Sequence, residues 1–289
     1  MVLISDDCNS IDYNQLWEER RAYSRRSADG PDMVDLWNDR SMAEQYDRIV
    51  KRKGRAAALE QIDRLKLREG YRVLDVGAGP GTHAIPLAGM VDHVTAVEPS
   101  QVMADILEKN LADERLGNVT CVRKKWEDVT AEDLGLHYDV VLASQSLAMP
   151  DVRSALLKMD RFCSGRVYVI WPAGTTAWER YQIEAWPLIH GSKFCPGPKA
   201  DVLFNILYQA GIFPDVEVYP IDFDETFSSI VEARDYYKGF YRTTSPEQEM
   251  VLMKFLSRRM DRAPEGFSLR GVSTMAQLSW DVMINRVRR

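Results

Sequence analysis

The stretch VLDVGAGPG, Val73 to Gly81, places one acid, Asp75, ahead of three glycines at alternate positions, Gly77, Gly79 and Gly81. Glycine has no Cβ and takes positive φ freely, so such a loop lets backbone amides close on a ligand. Set between a strand and a helix, it also aims the positive end of the helix at that ligand. This is the chemistry of nucleotide recognition, although the same glycines also serve a plain tight turn. Spacing separates the ligand classes: a dinucleotide loop reads G-x-G-x-x-G and needs glycine at 82, where this chain has Thr82. The triphosphate-binding pattern fails too, because no Gly-Lys-Ser/Thr follows.

The other reactive side chains are sparse. Four cysteines, Cys8, Cys121, Cys163 and Cys195, lie far apart without a CxxC pair, and there are four histidines. That pattern argues against a zinc site or a disulfide framework, and no metal is expected.

The elements that must position the loop follow from the hydrophobic period. About seventy residues of amphipathic helix come first: residues 10–30, closed by SADGPD (Ser27–Asp32), then Met33–Asp47 and Arg55–Leu67. From Tyr71 the pattern turns to short β-branched runs alternating with helix-length segments, the signature of a parallel sheet covered on both faces. Strands are expected at 72–76, 93–97, 119–123, 138–143, 166–171, 216–222 and 273–282. The expected fold is α/β: a doubly wound, mostly parallel seven-stranded sheet with N-terminal helices and a helical lid inserted before the last strand. The organisation read from this is a helical cap at 1–70, a core at 71–222 with an insertion at 173–200, a lid at 223–272, and a final strand and tail at 273–289.

Composition narrows the partners. Net charge is −6 with a sequence pI near 5.4, which disfavours nucleic acid as the main partner, since phosphate binding calls for a basic face. No window approaches the roughly 20 apolar residues of a membrane span, and the N-terminus lacks the basic region of an export signal. A cytoplasmic, soluble protein with reduced thiols is expected; the oligomeric state is not legible.

VLDVGAGPG resembles motif I of the class I S-adenosylmethionine-dependent methyltransferases, whose acid-x-Gly-x-Gly-x-Gly loop wraps the methionine and ribose part of the cofactor. The resemblance continues in AVEPS, where Glu98 stands seventeen residues after Gly81; a carboxylate there can accept hydrogen bonds from both ribose hydroxyls. It runs on through VRKKWEDV, where such enzymes lay an apolar side chain and an acid or amide against adenine, and here Trp126 and Glu127 take those places. In many relatives an Asp stands where this chain has Lys125. The fourth strand ends in Ser144 and Gln145 at the edge facing the cofactor. The resemblance thus implies a Rossmann-like methyltransferase fold, S-adenosylmethionine as cofactor with S-adenosylhomocysteine as product, and a cofactor set of Asp75, Gly77, Ala78, Gly79, Gly81, Thr82, Glu98, Pro99, Ser100, Met103, Trp126, Glu127, Ser144 and Gln145.

A sulfonium is an excellent leaving group, so such an enzyme mainly aligns a nucleophile and excludes water, and a dedicated base is optional. The Asn/Asp-Pro-Pro-Tyr/Phe tetrapeptide of base- and amide-methylating enzymes is absent after the fourth strand, which reads SQSLAMP. A small-molecule acceptor is the first expectation. The alternatives are an RNA or protein acceptor, or a non-catalytic subunit that keeps the pocket. The aromatic-rich segments Trp171, Trp178, Tyr181, Trp186, Tyr236 and Tyr237 line a pocket or form core, and His190 and Tyr241 are the candidate polar contacts to the acceptor.

Overall fold

Alternate residues of the first strand face opposite sides of one sheet, and each side has its own core. Val73 packs with Val94, Val140 and Ile170 on one face, while Leu74 and Val76 pack with Val97, Val141 and Val169 on the other. Such strands, apolar on both faces, are what a sheet sandwiched by helices requires.

The computed structural model describes residues 11–26, 33–135 and 137–284; Cys8 and the SADGPD segment lie outside them. Four helices come first, α1 (Tyr13–Arg26), α2 (Met33–Trp37), α3 (Arg40–Arg52) and α4 (Ala56–Ile62). The βα run follows: β1 (Arg72–Val76), α5 (Ala84–Ala88), β2 (His93–Val97), α6 (Gln101–Asp113), β3 (Val119–Val122), α7 (Ala131–Leu134), β4 (Tyr138–Ser144), α8 (Val152–Phe162) and β5 (Cys163–Pro172). The remainder comprises α9 (Ala177–His190), α10 (Ala200–Gln209), β6 (Asp215–Phe227), α11 (Ile230–Phe240), α12 (Pro246–Arg259), β7 (Asp261–Ala263) and β8 (Gly266–Asp281).

Strand order is β3-β2-β1-β4-β5-β8-β6, with β7 paired to β8. β1 to β5 run parallel, and β8 is antiparallel to both β5 and β6. The expected seven strands are present, and the eighth is the three-residue β7. The chain winds outward from β1 to β3 and then crosses back to β4, so the order reverses between β1 and β4. Ligands of open α/β sheets bind outside the carboxyl ends of the strands at such a switch point.

Two expectations change in shape. The segment 223–272 is helical only in its middle, because β6 runs on to Phe227 and β8 starts at Gly266. Pro172, the last residue of β5, faces Met275, which in turn faces Tyr219; beyond it β6 and β8 continue without β5, from Pro220↔Thr274 to Phe227↔Phe267, and β7 pairs with β8 at the tip. This arm projects past the carboxyl edge that holds the glycine loop, and α11 and α12 pack on it through Phe227, Tyr236, Leu252 and Leu269. Among the described residues before β1, the helices part company. Trp17 of α1 is fully buried against the α8/α10 side, its indole donating to Met149 O at 3.2 Å, whereas α2 to α4 gather at the glycine loop.

α12 starts on a serine cap: Ser245 Oγ accepts the Gln248 amide at 3.3 Å, and Pro246 occupies the first turn, where its missing N–H costs nothing.

Candidate active site

The three glycines do different work. Gly77 (φ +79°) donates its amide to Val97 O at 2.8 Å, and a Cβ there would sit 2.2 Å from Ser146 Cβ. Gly81 (φ +91°) is hemmed in by Leu107 and Ile85, 2.6 and 2.7 Å from its missing Cβ. Both are therefore packing glycines that let the ends of β1 and β4 and the start of α5 close together. Gly79 (φ +56°) differs: nothing lies within 4 Å of where its Cβ would point. It is the one glycine of the loop that opens to a ligand.

Glu98 closes over that opening. Its Oε2 accepts the Gly79 amide and its Oε1 the Ser100 amide, each at 2.8 Å. Each oxygen retains a second lone pair, so the carboxylate can still accept two donors. Burial pushes its pKa up, opposed by these two amides. Asp75, only 1% exposed, is pushed up to about 7 by burial and then by the charge of Glu98, with the Ala84 amide opposing; its Oδ2 has no hydrogen-bond partner. An unpartnered buried carboxyl oxygen is costly and is common where a ligand supplies the missing donor.

Neighbouring elements fix this pair. Ser100 caps α6 by accepting the Met103 amide at 3.1 Å, and its hydroxyl lies 2.9 Å from both Trp37 O and Asn38 Oδ1, tying α2 to the end of β2. Pro99 is half-buried between them, and Met103, 2% exposed, packs with Ala43 and Ile106. Asn110, which the sequence reading passed over, is 1% exposed and donates to Pro80 O at 2.9 Å and to Asp47 Oδ1 at 2.8 Å. It thus pins the glycine loop to α3. The only trace in sequence is a lone Asn inside an apolar helical face.

His83 is occupied with packing. Its Nε2 lies 2.7 Å from Gln61 Oε1, and burial pushes its pKa down to about 4, so it is neutral at pH 7. Gln61 also accepts Ser144 Oγ at 3.1 Å. Gln145 is exposed with φ +53°, a left-handed conformation that costs an ordinary residue roughly 1–2 kcal/mol and marks the switch point as a strained turn. Ala78 is buried and Thr82 half-buried.

Trp126 does not present a face to adenine. A 3₁₀ turn, Trp126–Asp128, rolls the indole into the core, where it is 3% exposed. There it donates to Ala155 O at 3.1 Å, meets the edge of Phe162 and carries Lys158 Nζ 4.8 Å over its ring. Glu127 is exposed beside it.

His190 and Tyr241 do meet, but not as a polar pair facing an acceptor. His190 Nε2 bonds the Tyr241 carbonyl at 2.9 Å and its ring lies tilted against Trp186, centroids 4.3 Å apart, while Tyr241, 2% exposed, has its phenol pushed far up by burial and then by the charge of Glu225. They join α9 to the end of α11.

Among the described residues no group of three or more His, Cys, Asp or Glu is placed to hold a metal ion, and no helix is long and apolar enough to cross a membrane. A cavity of about 640 Å³ between α7 and α8, lined by Val129, Thr130, Lys158, Arg161 and Phe162 among others, shares no residue with the glycine loop.

Residues 73–164 match a family model described as a methyltransferase domain. The chain is 29% identical over 186 residues, 63% of its own length, to an uncharacterized protein of Haemophilus influenzae, and 33% identical over 90 residues, 31% of its length, to a protein-L-isoaspartate O-methyltransferase of Bradyrhizobium sp.. These matches span 65% and 39% of the relatives' own lengths. The YcgJ protein from Bacillus subtilis shares the fold at a TM-score of 0.52 and 15% identity, covering 77% of this chain and 97% of that one. With the glycine loop at the β1/β4 switch point and the carboxylate at the end of β2, residues 73–164 carry a methyltransferase domain with a Rossmann-like fold.

Proposed function

We propose that the protein transfers a methyl group from S-adenosylmethionine to a small-molecule acceptor. The observation that carries the cofactor part is Glu98, held by the Gly79 and Ser100 amides with two lone pairs free beside the one open glycine. Those lone pairs suit the two ribose hydroxyls. The unpartnered Asp75 Oδ2 suits a donor on the methionine part, and Gly79 lets the ligand approach the backbone. When bound, the cofactor supplies a methyl group on a sulfonium, which needs no acid from the protein to depart.

The chain's own residues then have to orient and enclose. Asn110 and Ser146 hold the loop, the latter through its hydroxyl on Val76 O. The β6/β8 arm, with α9 and α11 packed on it, is suited to cover the edge and exclude water from it. A lid of this kind over an acidic chain favours a small acceptor over RNA. A protein acceptor is the second reading, favoured by the stretch shared with the isoaspartate methyltransferase. The test is incubation with methyl-tritiated S-adenosylmethionine and separate small-molecule, protein and RNA fractions. Label in the small-molecule fraction alone is expected. Label in protein or RNA overturns the acceptor class, and cofactor binding without labelling of any fraction identifies a non-catalytic subunit.

A further inference from the structure

The inner face of the β6/β8 arm carries one misfit. Residues two apart on a strand share a face, so Phe223, Glu225 and Phe227 point the same way. Phe223 packs on Trp178 and Tyr181 of α9 at 6.0 and 6.3 Å, and Phe227 packs on Tyr236 and Tyr237 of α11, both at 5.5 Å. The residue between them is a carboxylate, hydrogen-bonded by the Tyr237 hydroxyl. Phe227, Tyr236 and Tyr237 are all buried, yet Glu225 keeps partial exposure. Its carboxylate is hemmed in by aromatic rings. The cluster continues towards the glycine loop: Tyr46 packs against it and meets Trp37, ring centroids 5.1 Å apart, and the Trp37 carbonyl accepts the Ser100 hydroxyl beside Glu98.

We propose that Glu225, with Tyr46 and Tyr237 beside it, binds the methyl acceptor by a positively charged amine, making the protein's substrates small basic amines. This rests on the reading of the chain as a methyltransferase with a small-molecule acceptor. A desolvated carboxylate walled by aromatic rings gives an ammonium both charge pairing and ring faces. It does not suit an anionic acceptor, which it repels, and a neutral one leaves its charge unmatched. Glu225 is a costly residue for packing alone, since a glutamine would keep the Tyr237 bond without burying a charge. Burial raises its pKa to about 7, with Tyr237 and Lys53 opposing and Asp224 adding to the rise. The other titratable groups facing it, Tyr46, Tyr236 and Tyr241, stay neutral there because burial pushes their phenols up. A bound cation stabilises the ionised form, so amine affinity falls as pH drops below about 7.

The experiment titrates the protein saturated with S-adenosylhomocysteine with 2-phenylethylamine, piperidine and tetramethylammonium, beside 2-phenylethanol and benzoate, in the wild type and in Glu225→Gln and Tyr237→Phe. The amines are expected to bind the wild type, to lose about tenfold or more in Glu225→Gln, and to lose less in Tyr237→Phe. The alcohol and the acid are expected to bind the wild type more weakly; the alcohol ignores the Glu225 change, and the acid gains from it because the repulsion is lost. Unchanged S-adenosylhomocysteine affinity in both variants shows that they fold. Amines that fail to bind, or that bind Glu225→Gln as well as wild type while S-adenosylhomocysteine still binds, overturn this inference alone. Failure of S-adenosylhomocysteine to bind the wild type overturns the underlying reading instead.

Discussion

The Gly79 amide donates to Glu98 Oε2 at 2.8 Å, so the loop after β1 and the carboxylate after β2 form one rigid unit. The two sequence features that point to the cofactor are therefore in direct contact, and changes in either act on the other.

The glycines separate by substitution. Gly79→Val meets open space and costs roughly 1–2 kcal/mol for its positive φ, so the protein folds but loses cofactor binding. Gly77→Ala forces Ser146 and the ends of β1 and β4 apart, on the order of 3 kcal/mol once its φ is added. Urea denaturation beside cofactor titration distinguishes the two, and equal stability in both variants contradicts the assignment.

Asn110→Leu is expected to cost about 1–3 kcal/mol, since it strips a donor from the buried Asp47 carboxylate, and to weaken cofactor binding by freeing Pro80. A variant destabilised to this extent but with wild-type cofactor affinity shows that Asn110 serves α3 alone.

Trp126→Phe keeps most of the buried area and loses the bond to Ala155 O, so stability falls by about 1 kcal/mol or somewhat more. Cofactor affinity is expected to hold. A loss of affinity greater than about tenfold restores Trp126 to the adenine site.

His83 sets an acid-side dependence. Its folded pKa of about 4 lies below the ordinary 6.5, so between those values the unfolded chain binds more protons and stability falls as pH falls. Between pH 7.5 and 5 the loss is about 2 kcal/mol. Asp75 and Glu225, each raised to about 7, act oppositely and favour the fold as pH drops from about 7 towards 4. The whole-protein curve mixes these, so the informative quantity is wild type minus His83→Gln, which should move by that amount in the variant's favour at pH 5. A difference that is flat with pH refutes the buried neutral imidazole.

What the sequence discloses follows from how local each requirement is. Glycine spacing and the acid after β2 answer to backbone geometry within a few residues, so Gly77, Gly79, Gly81 and Glu98 are legible. The direction in which Trp126 turns depends on α8, some thirty residues on, and nothing near it in sequence says so. The length of β6 was hidden by charge: FDETF alternates, but with Glu225 on its buried face, and a reading that equates strands with apolar alternation stops at Asp222. His190 and Tyr241 looked chemical by residue type, while in the fold they are joined through a main-chain carbonyl.

The most direct measurement is calorimetric titration with S-adenosylmethionine and S-adenosylhomocysteine, on the wild type and on Glu98→Ala. Both ligands are expected to bind the wild type at one site, and Glu98→Ala to weaken both by about tenfold or more, as loss of hydrogen bonds to a charged group implies. Absence of binding by either ligand, or affinity untouched by the loss of Glu98, contradicts the account.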